Sequence, residues 1–563
     1  MLNRLARGIT SGLVFGPVLA LTACQDLEVE NLVAPDRERA TGNPLDVQSF
    51  VGGGFFPPFF EGIHDDVQVV SLFPFASAEF TATMDGQDTL LQWEDLVEPR
   101  GVHDNGVVLS QGNGPQGPRD FWATATRASS IAYDGLQLLD QGTVILDNEV
   151  DVTARARAFA KFMQGWTWGY LGLIFDEAHV LPETIDIPAD PDALLDITLE
   201  SLKPYQEVIE SAVTSLEEAV TTAEANPSVV SFPSFNESSL WFGSVDPISN
   251  RQFIQMANTL AARLLVLGAR TPEERAGVDW NRVAQLTANG LTSDYEMQLT
   301  TSRESEFLIW TQSNDPSGVR NARMDYRTIG LADQSGAYQD WIASPIEQRN
   351  RFDIVTPDRR ITGPTPQSDG AYTRYRSDNN GFVPDRGRYL FSAYQWGRHA
   401  IRLGKSGADV GENEGALPLI TADENRLLRA EALLRLGDRQ GAADVINVTR
   451  TRSHVIDGVT YAGLPPVSAD GVPTVDGECV PRVDSGACAD LLTAIRYERS
   501  IELMGLDAIR GYMDSRGWGT VPDGGLLHWP VPGNVLDLYG LPNYTYGGAG
   551  NPSTATYAPA RMP

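Results

Sequence analysis

Apolar residues recur at spacings of three and four over several long stretches of this chain, which is the period of an amphipathic helix. Between residues 204 and 223, Val208, Ile209, Val213, Leu216 and Val220 form one such stripe against acidic and polar positions. Residues 119–139 carry Phe121, Trp122, Ile131, Leu136 and Leu139 among small and polar residues. Residues 152–175 pass from an Ala/Arg-rich start into Phe159, Phe162, Trp166, Trp168, Tyr170 and Phe175. Residues 251–269 are apolar over most of their surface, which predicts a buried helix, and residues 279–291 predict a shorter one. Thr421-Ala422-Asp423-Glu424 has capping-box spacing: the hydroxyl accepts from the Glu424 N–H while the carboxylate reaches back. It opens a helix of Leu427, Leu428, Ala430, Leu433 and Leu434 that Gly437 can end. Asp438 can cap the next, with Ala442, Ala443, Val445 and Ile446, and a last helical block runs from Asp490 toward Gly505.

Paired helices joined by short turns cannot bury their apolar faces alone, so they stack, as tetratricopeptide repeats do. Residues 292–416 break the period. There Gly, Pro, Asn, Asp and Arg mix with Trp310, Tyr326, Tyr338, Trp341, Tyr372, Tyr375, Tyr389, Phe391, Tyr394 and Trp396. A loop-rich segment held between helical blocks is where a binding surface is expected. Residues 50–116, with the Phe55-Phe56-Pro57-Pro58-Phe59-Phe60 run and Trp93, have similar character. The expected fold is mainly α: tetratricopeptide-like helix pairs forming a superhelical scaffold, with an irregular ligand-binding portion.

The N-terminus reads Arg4 and Arg7, an apolar stretch over residues 13–23 interrupted by Gly16 and Pro17, and then Cys24. A basic start and a short apolar run make a secretory signal, too short to span a bilayer. Leu21-Thr22-Ala23-Cys24 resembles the bacterial lipobox, whose cysteine is lipidated and becomes the mature N-terminus; the plainer alternative is an ordinary signal peptide with a chance cysteine. Four regions follow: a signal peptide over 1–23, an anchored helical region over 24–291, the loop-rich region over 292–416, and C-terminal helical hairpins with a closing segment over 417–563.

Composition narrows the function. In 563 residues, 74 acidic against 43 basic side chains give a net charge of −31, which argues against a general nucleic-acid binder. Lys161, Lys203 and Lys405 are the only lysines, an arginine bias that fits a GC-rich genome better than a binding surface. Cys479 and Cys488 close a small Gly/Pro/Asp-rich loop and are expected to form a disulfide. A metal site would need further ligands, and the nearest histidine in sequence is His454.

Candidate chemistry is weighed residue by residue. Glu498 and Glu502 share a helix face, beside Arg499, Arg510 and Asp514. This is read as a structural ion-pair network, since a glycosidase acid/base pair comes more often from separate elements across a cleft. Asp176-Glu177-Ala178-His179 and Gly404-Lys405-Ser406 imitate nucleotide-binding motifs, but His399 stands where the earlier Walker glycine belongs. No histidine pair lies at i, i+4, and no Gly-x-Ser-x-Gly elbow occurs. Asp186, Asp190, Asp192 and Asp196 could hold calcium, but read better as a solvated acidic turn. No cofactor, metal or catalytic residue is expected. Trp and Tyr in irregular stretches offer flat apolar faces to a ligand, while Asp, Asn and Arg at the rim can meet its polar groups. Trp122, Trp166 and Trp168 sit in helical patterns and read as core. Trp93, Arg100, Trp310, Arg320, Tyr338 and Trp341 sit in irregular stretches and are the candidate ligand contacts.

The order of features resembles the SusD/RagB family of nutrient-uptake outer-membrane lipoproteins over nearly the whole mature chain. The resemblance rests on Cys24 with Leu27, Val29, Asn31 and Pro35, and on Ala154–Phe159 through Trp166, Tyr170, Gly172 and Asp176. It rests further on Leu427-Leu428-Arg429-Ala430-Glu431-Ala432 through Gly437-Asp438, Ala442-Ala443, Ile446-Asn447, Arg450 and Arg452. Ile495, Glu498-Arg499, Glu502-Leu503, Arg510, Asp514, Arg516 and Trp529-Pro530-Val531-Pro532 complete it. Asp507-Ala508 stands where Glu-Gly is usual, and the common terminal Gln-Asn-Pro-Gly-Tyr is absent. The resemblance implies four tetratricopeptide-like helix pairs, a lipid anchor at Cys24 on the outer-membrane surface, and an oligosaccharide or peptide ligand. It also implies a SusC-like TonB-dependent transporter as partner, and no enzymatic activity. The alternatives are a lipid-anchored glycoside hydrolase and a helical-repeat outer-membrane scaffold.

Overall fold

The long apolar stripes form helices that pack in succession. The computed structural model describes residues 44–60, 80–81, 103–104, 118–235, 240–300, 323–345, 348–377, 391–398, 415–507, 509–521, 527–542 and 545–546. Helix α1 (Pro118–Asp140) lies on α2 (Thr153–Ile174), α2 on α3 (Tyr205–Ala225), and α3 on α4 (Asn250–Leu267). Next, α4 meets α5 (Trp280–Ala288), and α5 meets α7 (Ala422–Arg435), which pairs with α8 (Arg439–Arg450). Helix α9 (Leu491–Leu503) closes on both α7 and α8, and α10 (Arg510–Trp518) returns to α4. The fold is mainly α, built of tetratricopeptide-like pairs. Close approach has a visible cause: a Cβ on Gly165 of α2 would sit 2.7 Å from the Ala212 carbonyl of α3. Trp122, Trp166 and Trp168 are buried, as their helical positions imply, and Phe159, Phe162 and Phe232 each pack on Phe242 at ring separations of 4.9–5.2 Å.

The C-terminal half is joined by buried ion pairs. Glu431 on α7 accepts from Arg275 at 2.6 Å and pairs with Arg499 of α9 at 3.3 Å. Asp514 on α10 takes the same two arginines at 3.1 and 2.8 Å. Glu498 on α9 lies between Arg360 at 2.6 Å and Arg450 of α8 at 3.1 Å. Glu424 on α7 is gripped on both oxygens by Arg263 of α4, at 2.6 and 2.7 Å, with Arg510 at 3.4 Å. The cluster over residues 498–514 is therefore the structural network that its spacing suggests. Asp507, which departs from the usual glutamate, joins it through Arg263 at 3.3 Å and the Tyr170 hydroxyl.

Two expectations need correction. Thr421 caps α7 by accepting from Glu424 N at 3.1 Å, but the Glu424 carboxylate does not reach back, because Arg263 holds it. A bidentate, charge-assisted pair outbids one backbone N–H. Residues 292–416 also hold more regular structure than their broken helical period suggests. Strand β1 (Phe80–Thr81) pairs with β3 (Arg323–Asp325), β3 with β5 (Phe391–Trp396), and β5 with β4 (Thr373–Tyr375), all antiparallel. A second ribbon pairs β2 (Tyr295–Leu299) with β6 (Gly415–Ile420), and Tyr295, Met297 and Leu299 point inward. These strands are short, so their period of two is hidden among turn residues. Asp190 caps the helix Pro191–Ser201, and Asp186 accepts from Gln137, which accounts for two members of the acidic turn. Cys479 and Cys488 form the disulfide.

Burial favours the neutral form of Glu431, yet Arg275 and Arg499 overcome it and hold the carboxyl down to about 2, from an ordinary 4.5. Its contribution to stability is thus present above about pH 4.5 and is lost as pH falls toward 2. Glu431→Gln leaves two buried guanidiniums short of a counter-charge and is expected to cost about 3–5 kcal/mol at neutral pH. Urea unfolding followed by circular dichroism measures it, and a loss under about 1 kcal/mol would contradict the network's role.

Candidate ligand-binding site

Two cavities border the C-terminal helices. The first, of about 560 Å³, is lined by Tyr372 before β4, Arg398 after β5, Asp423 at the start of α7 and Glu502 at the end of α9. Arg452, His454, Asp294, Thr421 and Asp457 add to its polar wall. His454 stands on a hairpin of β7 (His454–Ile456) and β8 (Val459–Tyr461), joined by Asp457-Gly458 with φ of 51° and 78°. That is a two-residue turn with both φ positive, the form that Asp-Gly favours.

Tyr372, Arg398 and Glu502 are tied together in this wall, as are Arg452 and Asp423. Tyr372 Oη donates to Glu502 at 3.0 Å and lies 3.2 Å from His454 Nε2. The single hydroxyl proton goes to the carboxylate, so Nε2 carries a proton to donate to Tyr372 and Nδ1 is left as acceptor. Arg398 pairs with Glu502 at 3.2 Å and lies over the Tyr372 ring at 4.2 Å. Arg452 grips both Asp423 oxygens at 2.6 and 2.7 Å, and Arg426 adds a third contact at 2.6 Å. Burial raises the carboxyl of Glu502, but Arg398 and Arg360 outweigh it and hold the group below its ordinary value. Burial likewise raises Asp423, and Arg452 and Arg398 hold it down. Burial pushes the Tyr372 hydroxyl up, so it stays a donor. These carboxylates stay ionised, whereas glycoside cleavage needs one carboxylic acid kept protonated. The arrangement suits hydrogen bonds to hydroxyl groups.

The second cavity, of about 450 Å³, is a cleft between α6 (Ala337–Ala343), the loop after Cys479, α9 and the end of α10. Tyr338 lines it, as do Asp484, Arg496, Ser500, Ser515 and Trp518.

Solved structures share this architecture. A SusD superfamily protein from Parabacteroides distasonis matches with a TM-score of 0.52 over 84% of this chain and 88% of that one, at 11% identity. A SusD-like protein from Bacteroides fragilis matches with a TM-score of 0.50 over 86% and 88%, at 14% identity. This chain has the SusD-like fold. No family model and no curated protein matches the sequence.

Within the SusD-like fold, the sequence-selected contacts divide. Trp93, Arg100, Trp310 and Arg320, together with Cys24, lie outside the described residues. Tyr338 and Trp341 lie on α6, a helix hidden in an aromatic-rich stretch. Tyr338 borders the second cleft but is only 3% exposed, so it is no open platform. Trp341 is not the open platform its irregular surroundings suggest. It is 4% exposed, with Arg349 over its ring at 4.5 Å and Tyr326 and Tyr338 against it. Tyr372, Arg398, Arg452 and His454 were not singled out as contacts, because they come from four separate segments. The Asp457-Gly458 turn was the one local signal that could have placed His454.

Burial lowers the His454 imidazole below its ordinary value, with Arg398 and Arg360 adding to it and Glu502 opposing. A lowered value means that the stability held by neutral His454 is full above about pH 6.5 and falls as pH drops through the lowered value. An NMR titration is expected to give a His454 midpoint below 6.5, and a midpoint above it would contradict the burial described.

Proposed function

We propose that this protein is a surface-held outer-membrane lipoprotein that binds an oligosaccharide, or in the second instance a peptide, and delivers it to a SusC-like TonB-dependent transporter. The SusD-like fold across more than four fifths of the chain is the observation that carries this reading. The Leu21-Thr22-Ala23-Cys24 tetrad supplies the anchor, as two or more acyl chains on Cys24 hold a protein to a bilayer stably. The first cavity supplies hydroxyl-matching donors and acceptors fixed in place by ion pairs. The role is capture without covalent chemistry. Asp423 and Glu502 are committed to arginines, which leaves neither carboxyl as a proton donor to a glycosidic oxygen.

Cys24→Ala is expected to move the protein out of the outer-membrane fraction without unfolding it. Full-length protein on glycan and peptide arrays is expected to retain at least one oligomer, and a strain lacking it should take up that oligomer more slowly. Unchanged uptake of every oligomer tested, with the transporter intact, would sink the proposal.

A further inference from the structure

Arg496 differs from the arginines buried around it. Arg275, Arg435 and Arg499 each pair with Glu431, and Arg516 donates to the carbonyls of Leu267 and Leu527. Arg496 has no carboxylate or carbonyl partner among the described residues, and its Nε is buried without an acceptor. Its guanidinium carbon lies 5.7 Å from the Trp518 indole, a ring that Arg275 and Arg499 also flank at 5.5 Å. Arg275, Arg435 and Arg499 are thus paired with Glu431 or Asp514, whereas Arg496 lies near Glu431 and Asp490 without an ion pair to either. Burial, with Arg275 and Arg435 nearby, pulls the Arg496 guanidinium below its ordinary value, while Glu431 and Asp490 oppose.

The unpaired cation opens onto the second cleft. Residues 493, 496, 497 and 500 of α9 lie on one helix face along it, so Arg496 and the Ser500 hydroxyl share that wall. Tyr338, itself 3% exposed, and Ile342 of α6 add apolar lining, Arg327 on the same lining is paired with Asp325 at 2.9 Å, and Asp484 stands exposed at the rim. Apolar lining beside hydroxyls and one unpaired guanidinium fits a sugar ring that bears an anionic group. An arginine fork matches a carboxylate or sulfate on two oxygens.

We infer that the cleft between α6 and α9 is a binding subsite for an anionic sugar unit, a uronate or sulfated residue, whose charged group pairs with Arg496. The inference rests on the oligosaccharide-capture reading above and narrows its ligand to acidic glycans.

The test is calorimetric binding to the purified full chain of four probes: oligogalacturonate, a chondroitin sulfate oligosaccharide, a neutral galacto-oligosaccharide and a poly-glutamate peptide. One of the acidic glycans is expected to bind, more weakly as salt rises. Arg496→Gln is expected to weaken that binding about tenfold or more and to leave thermal unfolding cooperative. Asp484→Asn, at the exposed rim, is expected to tighten it, because a like charge leaves the cleft mouth. Equal acidic-glycan affinity in wild type and Arg496→Gln overturns the subsite, as does binding of the neutral glycan alone, and either leaves glycan capture standing. Preference for the peptide overturns the sugar assignment. Binding of none of the four overturns the subsite, and the arrays and uptake assay then decide the broader reading separately.

Discussion

A carboxylate held between two guanidiniums, out of contact with water, is the arrangement on which the C-terminal half depends. Glu431, Glu424 and Glu498 each occupy such a position, and each joins arginines from different elements. Removing a carboxylate from water costs several kcal/mol, and one counter-charge in poor geometry does not recover it. Two arginines on one acid do, through short charge-assisted bonds on both oxygens. Such a network often contributes no more to net stability than well-packed apolar residues of similar volume, but removing one member leaves a buried charge uncompensated.

Arginine suits this task better than lysine. Its planar fork holds two acceptors at once and stays charged when buried. Arg263 reaches both oxygens of Glu424, and Arg360 reaches Asp358, Glu498 and Glu502 together. The arginine bias, attributed to genomic base composition, thus has a use in the core: Arg263, Arg275, Arg450, Arg499, Arg510 and Arg516 are all fully buried. The network also ends at the first cavity. Glu502 takes Arg360 on the core side and Arg398 on the cavity side, and Tyr372 joins the same carboxylate. Its polar wall is therefore held before any ligand arrives, which reduces the ordering cost of binding.

The scaffold was legible because each helix announces itself locally. Asp438, Asp490 and Thr421 cap as their spacing implies, and Gly437 takes the positive φ of 90° that ends α7. The i, i+4 carboxylates of α9 were legible as a network for the same reason. Their partners were not: Arg360 lies 138 residues from Glu498, and Arg263 lies 161 from Glu424. No periodicity connects such positions, and the same distant partner undid the reciprocal half of the Thr421 capping box. Aromatic residues were hardest to place. A Trp on a short helix of seven residues looks, in sequence, like a Trp in a loop, yet one turn suffices to bury it.

The overall charge of −31 is a poor guide to what either cavity attracts. At physiological salt, charges more than about 8–10 Å apart on the surface are largely screened. A ligand within a cleft instead meets the few groups lining it, through a medium that screens them less. The first cavity presents two arginines paired with Glu502 and Asp423, and Asp294 and Asp457 on the same lining leave it with more acids than bases. The second presents Arg496, which has no carboxylate partner among the described residues, with Asp484 at its rim. Two clefts on one acidic body thus differ in the charged groups they present. The difference arises from how completely the same ion-pair network closes at each edge.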